Sequence, residues 1–374
     1  MSATGYLINK QAGYSPQLAD NVQTILNDFN ASFKFHQSLA SYRSTPLVEL
    51  ATLAKKTGIN RLLVKDESQR FGTGALKILG ATFAVNHFAE NEDVIGICTA
   101  TDGNHGRAVA WASRQRGIKS VVFVPVYTAK SRIEAIEDEG AKVIVSKGDY
   151  DTAVSEAAYF AREKNFKLIQ DTAWSNYMDV PAYITAGYYT QLNEIAQQTN
   201  NFTSPRIDVI FVQAGVGSWP SAVVHFLRKN LDNQHIKIVC VEPYESDCIY
   251  ESIRRKSLTT TAKSQKTIMA GLNCGTPSAL ALEILKEGID AFLLISDKHS
   301  IDAIKYLNAP LPGDPYVVAG ESGAAGLAGY LATVNSHGLA ELKNYLAIGS
   351  ESNILVVNSE NITDPLLTSS LLEE

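Results

Sequence analysis

The feature that most constrains the fold of this chain is the alternation of short β-branched apolar runs with segments of helical period. The apolar runs lie at 61–67, 94–100, 120–125, 142–146, 167–172, 208–215, 237–243, 291–296 and 353–359. Between them, the segments 131–140, 152–165 and 182–198 have the spacing of amphipathic helices. This alternation is typical of βαβ units and predicts an α/β fold with mostly parallel sheets.

Charge and apolar distribution exclude several classes of protein. The 374 residues carry a net charge of -6, and their lysines and arginines form no basic run, so we expect no nucleic-acid partner. No apolar stretch reaches the roughly 18 residues of a membrane span, and the N-terminus lacks the pattern of a signal peptide. Four cysteines in a chain of this length do not form a disulfide framework. We therefore expect a cytoplasmic protein without membrane contact.

Two strand-to-helix corners carry the residues of a candidate site. The first is TATDGNHG at 99–106, where Asp102 and Asn104 stand together. The second is QAGVGS at 213–218, where two glycines allow close backbone approach and a serine could bind phosphate. Such corners bind anions because helix N-termini present unpaired N–H groups. A tight turn without any ligand remains the alternative for the second corner.

Lys77 follows two glycines, Gly72 and Gly74, at the predicted start of a helix and has apolar neighbours. A lysine that loses water there could have a lowered pKa and act as a nucleophile. The alternative for a single lysine is that its stem packs on the surface while its ammonium group reaches water.

Together these features resemble the fold-type II family of pyridoxal-phosphate enzymes. Within it, the order of the longer motifs is similar to that of the diaminopropionate ammonia-lyases. These motifs are LVKDESQRFG, TATDGNHGRAVAWA, QDTAW, QAGVGS, VEPYESDCIY, TIMAGLNCG and AGESGAAGL. The resemblance implies a two-lobed α/β fold with helices on both faces of the sheets. It also implies a larger cofactor-binding domain at 1–82 plus 200–374, and a smaller α/β domain at 83–199.

The resemblance implies a role for each candidate residue toward pyridoxal 5′-phosphate. Lys77 corresponds to the lysine that forms the internal aldimine, and Asn104 to the residue that binds the 3′-oxygen of the cofactor. The phosphate cradle corresponds to Gly215, Val216, Gly217 and Ser218. Ser359 corresponds to a hydroxyl beside the pyridine nitrogen, and a hydroxyl does not force that nitrogen to be protonated. This favours elimination over transamination.

Asp102 and Asp171 correspond to two aspartates of the lyase active site. A carboxylate at 102 suits a β-ammonium group on the substrate and could also serve as an acid or base. The alternative is that Asp102 caps the following helix, worth about 1 kcal/mol. The implied reaction is α,β-elimination of 2,3-diaminopropionate to pyruvate and two ammonia. Lys77 would act as base for one enantiomer and Asp102 for the other.

Some alternatives and secondary expectations remain open at this stage. The chain could be a serine or threonine dehydratase of the same fold, which Asp102 argues against, or a non-catalytic amino-acid-binding protein, which Lys77 argues against. Family members can pair cysteines at the positions of Cys248 and Cys274, although a cytoplasmic location favours free thiols. A homodimer is the family expectation, and no metal site is predicted.

Overall fold

The computed structural model describes residues 4–10, 13–101 and 103–365. Within them the predicted alternation of strands and helices is confirmed. The strands, numbered in chain order, are β1 Gly5–Ile8, β2 Leu47–Glu49, β3 Arg61–Asp66, β4 Ile97–Ala100, β5 Ser120–Val124, β6 Lys142–Val145, β7 Lys167–Leu168, β8 Val209–Gln213, β9 Lys237–Pro243, β10 Ala291–Ile295 and β11 Asn353–Asn358. The α-helices are α1 Asp20–Leu26, α2 Ala31–Ser38, α3 Ala51–Thr57, α4 Lys77–Asn91, α5 Asn104–Gln115, α6 Lys130–Glu137, α7 Tyr150–Lys164, α8 Asp179–Gly187, α9 Tyr189–Gln198, α10 Ser218–His225, α11 Cys248–Arg255, α12 Ala279–Gly288, α13 Asp297–Asn308, α14 Ala325–Asn335 and α15 Ala340–Tyr345.

The strands form two sheets that are mostly parallel. The larger has seven strands in the order β1-β10-β9-β8-β11-β3-β2, and the smaller has four in the order β6-β5-β4-β7. Only the two edge strands of the larger sheet, β1 and β2, run antiparallel to their neighbours. Because the inner strands are parallel, their carboxyl ends lie at one edge of the sheet, where ligands bind in such folds.

Both faces of the larger sheet are buried, as strand β8 shows. Ile210 and Val212 belong to one apolar core, together with residues of α4, α8 and α10. Val209 and Phe211 belong to a second core, together with residues of α3, α13 and α14. Since side chains alternate along a strand, the two cores lie on opposite faces. The prediction of helices on both faces is therefore confirmed.

The four strands of the smaller sheet all fall within the segment 83–199. Helix α4 begins before residue 83 and ends after it, so it crosses the predicted domain boundary. The division into two domains stays a prediction. No helix in the described ranges combines the length and the apolar character that crossing a bilayer requires.

The structure differs from the sequence prediction at short edges and at one long helix. Strands β1 and β2 were not predicted, because three or four residues carry too little alternation to be recognised. The predicted helix 182–198 is instead α8 and α9, which meet at Tyr188. Gly187 explains the close packing there, since a Cβ on it would lie 2.6 Å from the carbonyl oxygen of Leu79.

Candidate active site

Lys77 is the first residue of α4 and follows a turn with two glycines in the left-handed region. Gly72 has a φ of 74° and Gly74 a φ of 76°, values that cost little only for glycine. The N–H group of Leu76 donates to the carbonyl oxygen of Ser359 at 3.0 Å. The turn is therefore anchored to the end of β11, which positions the lysine at the carboxyl edge of the larger sheet.

Lys77 forms an ion pair with Asp171, which follows the short strand β7. The distance from Lys77 Nζ to Asp171 Oδ2 is 2.7 Å, and the lysine side chain is 26% exposed. Burial lowers the pKa of Lys77, but attraction to Asp171 outweighs it, and the pKa lies above its usual value. Burial alone would raise the pKa of Asp171, yet Lys77 lowers it to about 2. The expected lowering of the lysine pKa is thus wrong, because a carboxylate lies in contact with it.

His105 lies buried beside this ion pair. Its Nε2 is 2.9 Å from the carbonyl oxygen of Ile169, and because a carbonyl oxygen only accepts, that nitrogen carries the proton. Within the described residues, the buried Nδ1 has no hydrogen-bond partner. Burial lowers the pKa of His105. The imidazole is therefore neutral and ties the start of α5 to the segment that follows β7.

Asn104 begins α5 and is held by a carboxylate that sequence reasoning did not single out. Its Nδ2 donates to Glu360 Oε2. Glu360 Oε1 accepts from the backbone N–H of Ser322 at 3.1 Å, and burial raises the pKa of this carboxyl. Glu360 directly follows Ser359, so its place after β11 at the carboxyl edge is the signal that could have found it.

The turn after β8 leads into α10 through Gly215 and Gly217. A Cβ on Gly215 would lie 3.0 Å from Cys274 Sγ, and Gly217 has a φ of 95°. Ser218 Oγ donates to the carbonyl oxygen of Asp171 at 2.6 Å. The hydroxyl proton is thus used within the protein, and the turn offers its backbone N–H groups to an anion instead.

Every predicted catalytic or cofactor-binding residue that the structure describes lines one cavity at this edge. The predicted lining residues are Lys77, Asn104, Asp171, Gly215, Val216, Gly217, Ser218 and Ser359. Asp102 lies outside the described residues. The same cavity is lined by residues that the sequence did not single out for it, among them Tyr150, Gln213, Ser322 and Glu360. Trp219 also lines it, and its Nε1 donates to Gln191.

The donor set of this cavity fits a phosphorylated aromatic aldehyde. A lysine amine for the carbonyl carbon, an amide at Asn104 and a hydroxyl at Ser359 surround the same space. The start of α10 has N–H groups for a phosphate, and the Gly215 position leaves room that a Cβ would fill. This combination is what pyridoxal phosphate requires of its protein.

Comparison with known families defines the class. Residues 39–351 match the family model described as pyridoxal-phosphate dependent enzyme, and pyridoxal phosphate is the cofactor of this chain. The diaminopropionate ammonia-lyase of Escherichia coli (strain K12) is 36% identical over 350 residues, which cover 88% of this chain and 87% of the relative. The chain therefore belongs to the diaminopropionate ammonia-lyase family.

Solved structures agree with this assignment. The Escherichia coli diaminopropionate ammonia-lyase, in complex with an aminoacrylate–pyridoxal-phosphate azomethine intermediate, is 32% identical and has a TM-score of 0.90. The match covers 100% of this chain and 97% of the other. Among relatives by sequence, the L-threonine ammonia-lyase of Thermotoga maritima is less similar, at 27% identity over 329 residues, which cover 88% of this chain and 75% of the relative. The predicted fold class is confirmed.

Cys248 and Cys274 both lie beside Gly215 of the glycine turn, and both are buried. Cys248 Sγ is 3.9 Å from the carbonyl oxygen of Gly215. The structure contains no bond between the two sulfur atoms. The pairing implied by the family resemblance is therefore not formed here.

Proposed function

We propose that this chain catalyses the α,β-elimination of 2,3-diaminopropionate, which with one water molecule gives pyruvate and two ammonia. The observation that carries the proposal is the Lys77–Asp171 ion pair at the wall of the cavity that also contains Asn104, Ser359 and the glycine turn. A binding protein requires no lysine amine in that place. The choice of substrate follows from the relatives reported above, which are named diaminopropionate ammonia-lyases.

The chain's own residues would hold the cofactor at four points. Lys77 would attach it through its amine, and the start of α10 would bind its phosphate. Asn104 and Ser359 would bind the 3′-oxygen and the ring nitrogen. When bound, pyridoxal phosphate withdraws electrons from the substrate Cα, a chemistry that no side chain supplies.

Proton transfer is the task of Lys77 and Asp171. Lys77 Nζ would take the proton from the substrate Cα and hold it as an ammonium ion. Asp171, 2.7 Å away, stabilises that ion by attraction in a buried setting. The lysine can then deliver the proton to the ammonia that leaves from Cβ.

Asp102 keeps the role that the sequence predicts. It would bind the β-ammonium group of the substrate and take the Cα proton of the enantiomer that Lys77 does not serve. A carboxylate discriminates between a β-ammonium and a β-hydroxyl group because only the former is charged.

The test is pyruvate release by the purified, cofactor-loaded protein. We expect turnover of D- or L-2,3-diaminopropionate at least about tenfold faster than that of L-serine or L-threonine, as one charge-assisted contact provides. Lys77→Ala is the inactive control, and Asp102→Asn should reduce the preference. Faster turnover of the hydroxy amino acids would overturn the substrate assignment and favour the dehydratase.

We also infer a homodimer in the cytoplasm. The support is the family resemblance for the first and the small number of cysteines for the second. Light scattering of the purified protein would test the dimer directly, and a mass of one chain would contradict it.

A further inference from the structure

Gln213 is a buried polar residue at the cavity to which no role has been given above. It is the last residue of β8, and Ser359 directly follows β11, the neighbouring parallel strand. The two side chains therefore meet at the carboxyl edge of the sheet. Gln213 is only 3% exposed, and its Nε2 lies 3.0 Å from Ser359 Oγ.

The surroundings of Gln213 decide which end of its amide faces the serine. Besides Ser359 Oγ, Nε2 lies within 3.3 Å of three backbone carbonyl oxygens, those of Ser322, Gly323 and Val357. Carbonyl oxygens only accept hydrogen bonds, so an amide oxygen in this position would be repelled by all three. The atom that faces Ser359 is therefore the nitrogen.

This orientation restricts the hydroxyl proton of Ser359. An amide nitrogen does not accept hydrogen bonds, so the serine proton cannot point toward Gln213. Within the described ranges, Ser359 Oγ takes part in no other hydrogen bond. The side chain lines the cavity and is partly exposed to it. The hydroxyl proton of Ser359 therefore points into the cavity.

The placement of Gln213 is unfavourable for stability, which indicates a role beyond packing. Its Oε1 is buried and has no partner in the described part of the chain, a state that costs about 1–3 kcal/mol. Room for this oxygen depends on Gly326, since a Cβ there would lie 3.0 Å from it. A leucine or methionine at 213 would avoid the cost.

We propose that Gln213 is a positioning residue that directs the Ser359 hydroxyl proton toward the ring nitrogen of bound pyridoxal phosphate. This proposal rests on the assignment of pyridoxal phosphate as the cofactor of the cavity. A nitrogen that accepts this hydrogen bond stays unprotonated and withdraws electrons less strongly. The electron pair left at the substrate Cα would then form the Cα–Cβ double bond as the β-substituent leaves with the pair of its own bond, rather than being stored in the ring, which suits elimination.

The experiment compares the wild type with Gln213→Met, Ser359→Ala and the double variant. Each protein is loaded with cofactor labelled with nitrogen-15 in the ring, and the ring signal is recorded by NMR without substrate. We expect the wild type to give the signal of an unprotonated, hydrogen-bonded nitrogen. In Gln213→Met the serine can turn to the carbonyl oxygens that lost their donor. The signal should move as it does in Ser359→Ala.

Four results decide the proposal. Cofactor affinity should fall about five- to tenfold in either single variant, the value of one hydrogen bond. The double variant should show no additional loss, because both changes remove one interaction. An unchanged ring signal in Gln213→Met, while Ser359→Ala shifts it, would overturn the proposal. So would a protonated nitrogen in the wild type, a result that does not depend on how any variant folds.

These measurements separate this proposal from the substrate assignment. The NMR signal and the cofactor affinity are recorded without substrate, so they hold whichever amino acid is eliminated. If the wild type turns over diaminopropionate and Gln213→Met leaves the ring signal unchanged, only the role of Gln213 is lost.

Discussion

Two lysine–carboxylate pairs of this protein have the same distance and different surroundings. Lys77 Nζ lies 2.7 Å from Asp171, and Lys65 Nζ lies 2.7 Å from Glu194. The first pair is at the cavity wall, where the lysine is 26% exposed. The side chains of the second pair are fully buried. The distance between the charges therefore does not distinguish a catalytic pair from a structural one.

The second pair belongs to a buried ion cluster formed by Lys65, Glu67, Arg70 and Glu194. Two positive and two negative charges balance in it. Lys65 donates to three oxygens, those of Thr45, Gln198 and Glu194, which satisfies all three of its hydrogens. Arg70 donates to both carboxylates. The cluster fixes β3 and the turn before Lys77 against α9.

The Lys77–Asp171 pair and its neighbours are not fully hydrogen-bonded in this way. Within the described ranges, Asp171 is the only acceptor of the Lys77 ammonium group. The nearby His105 Nδ1 and Tyr188 hydroxyl are buried without hydrogen-bond partners in the same ranges. Unsatisfied polar groups are costly, and here His105 lines the cavity while Tyr188 interacts electrostatically with Lys77. The comparison shows that spare hydrogen-bonding capacity, rather than the ion pair itself, indicates function.

The largest expected effect is that of Lys77→Ala on activity. We expect kcat/KM to fall on the order of 10⁴-fold, since the variant loses both the cofactor attachment and the base. The visible absorption of the loaded enzyme should also be lost. Lys298→Ala, on an exposed helix surface, is the matched control and should keep full activity. A Lys77→Ala enzyme with a tenth of wild-type activity would contradict this role.

Next in size is the effect of Glu194→Ala on stability. The change leaves Lys65 and Arg70 buried with one carboxylate between them, and we expect a loss of about 3–5 kcal/mol in the free energy of unfolding. Denaturant unfolding of the cofactor-free protein measures it. Lys77→Ala should cost clearly less in that assay, because Asp171 borders a cavity that water can enter. Equal losses would remove the distinction between the two pairs.

Asp171→Asn tests how the cavity pair holds its proton. The asparagine keeps the burial of Lys77 and removes the attraction, so the pKa of the lysine should fall below its usual value. We expect kcat/KM to drop about 10²-fold, as is typical when proton transfer loses a supporting group. The pH at which the lysine of the cofactor-free protein reacts with an acylating reagent reports its pKa. An unchanged profile would exclude control by Asp171.

Acid should destabilise the protein through His36, which lies beside the buried ion cluster. Burial and the nearby Arg70 lower its pKa to about 3, whereas the unfolded chain takes up that proton near pH 6.5. The contribution of neutral His36 to the free energy of unfolding is therefore fully present above pH 6.5. It is lost as the pH falls toward 3, by about 1.4 kcal/mol per pH unit. Between pH 6 and 4, the free energy of unfolding measured with denaturant should fall less steeply with decreasing pH in His36→Gln than in the wild type. Equal pH dependence in the two proteins would contradict the lowered pKa of His36.

The smallest effects compare two tyrosine hydroxyls. Tyr42 donates to Glu194 at 2.8 Å, so Tyr42→Phe should cost about 1–2 kcal/mol. The buried Tyr188 hydroxyl has no partner in the described ranges. Tyr188→Phe should therefore leave the unfolding free energy of the cofactor-free protein within about 0.5 kcal/mol. Equal costs for the two variants would show that the polar groups around Lys77 are as fully hydrogen-bonded as those of the ion cluster.

Much of the fold and part of the site can be predicted from the sequence. The apolar runs from 61 to 359 correspond to strands because burial on both faces of a parallel sheet imposes continuous apolar sequence. The corners after β4 and β8 are recognisable, since glycine and asparagine mark turns whatever surrounds them. Strand β7 ends at Leu168, earlier than predicted, and Asp171 then turns toward the cavity.

The contacts of the site depend on residues that are distant in the chain. Lys77 and Asp171 are 94 positions apart, and Asn104 and Glu360 are 256 apart. No local pattern reveals such pairs, so the rise in the lysine pKa and the importance of Glu360 were missed. The orientation of Gln213 likewise depends on carbonyl oxygens from two other segments of the chain.

The sequence by itself determined the class of fold, the position of the turns and the chemical types of residue at them. These follow from local periodicity and backbone preference, which neighbouring residues impose on each other. Tertiary structure alone decided that the hydrogens of Lys65 are all used within the protein, whereas Lys77 is available to a ligand in the cavity. That difference depends on how many donors and acceptors converge in space, and convergence between distant strands is not recorded in any short stretch of sequence.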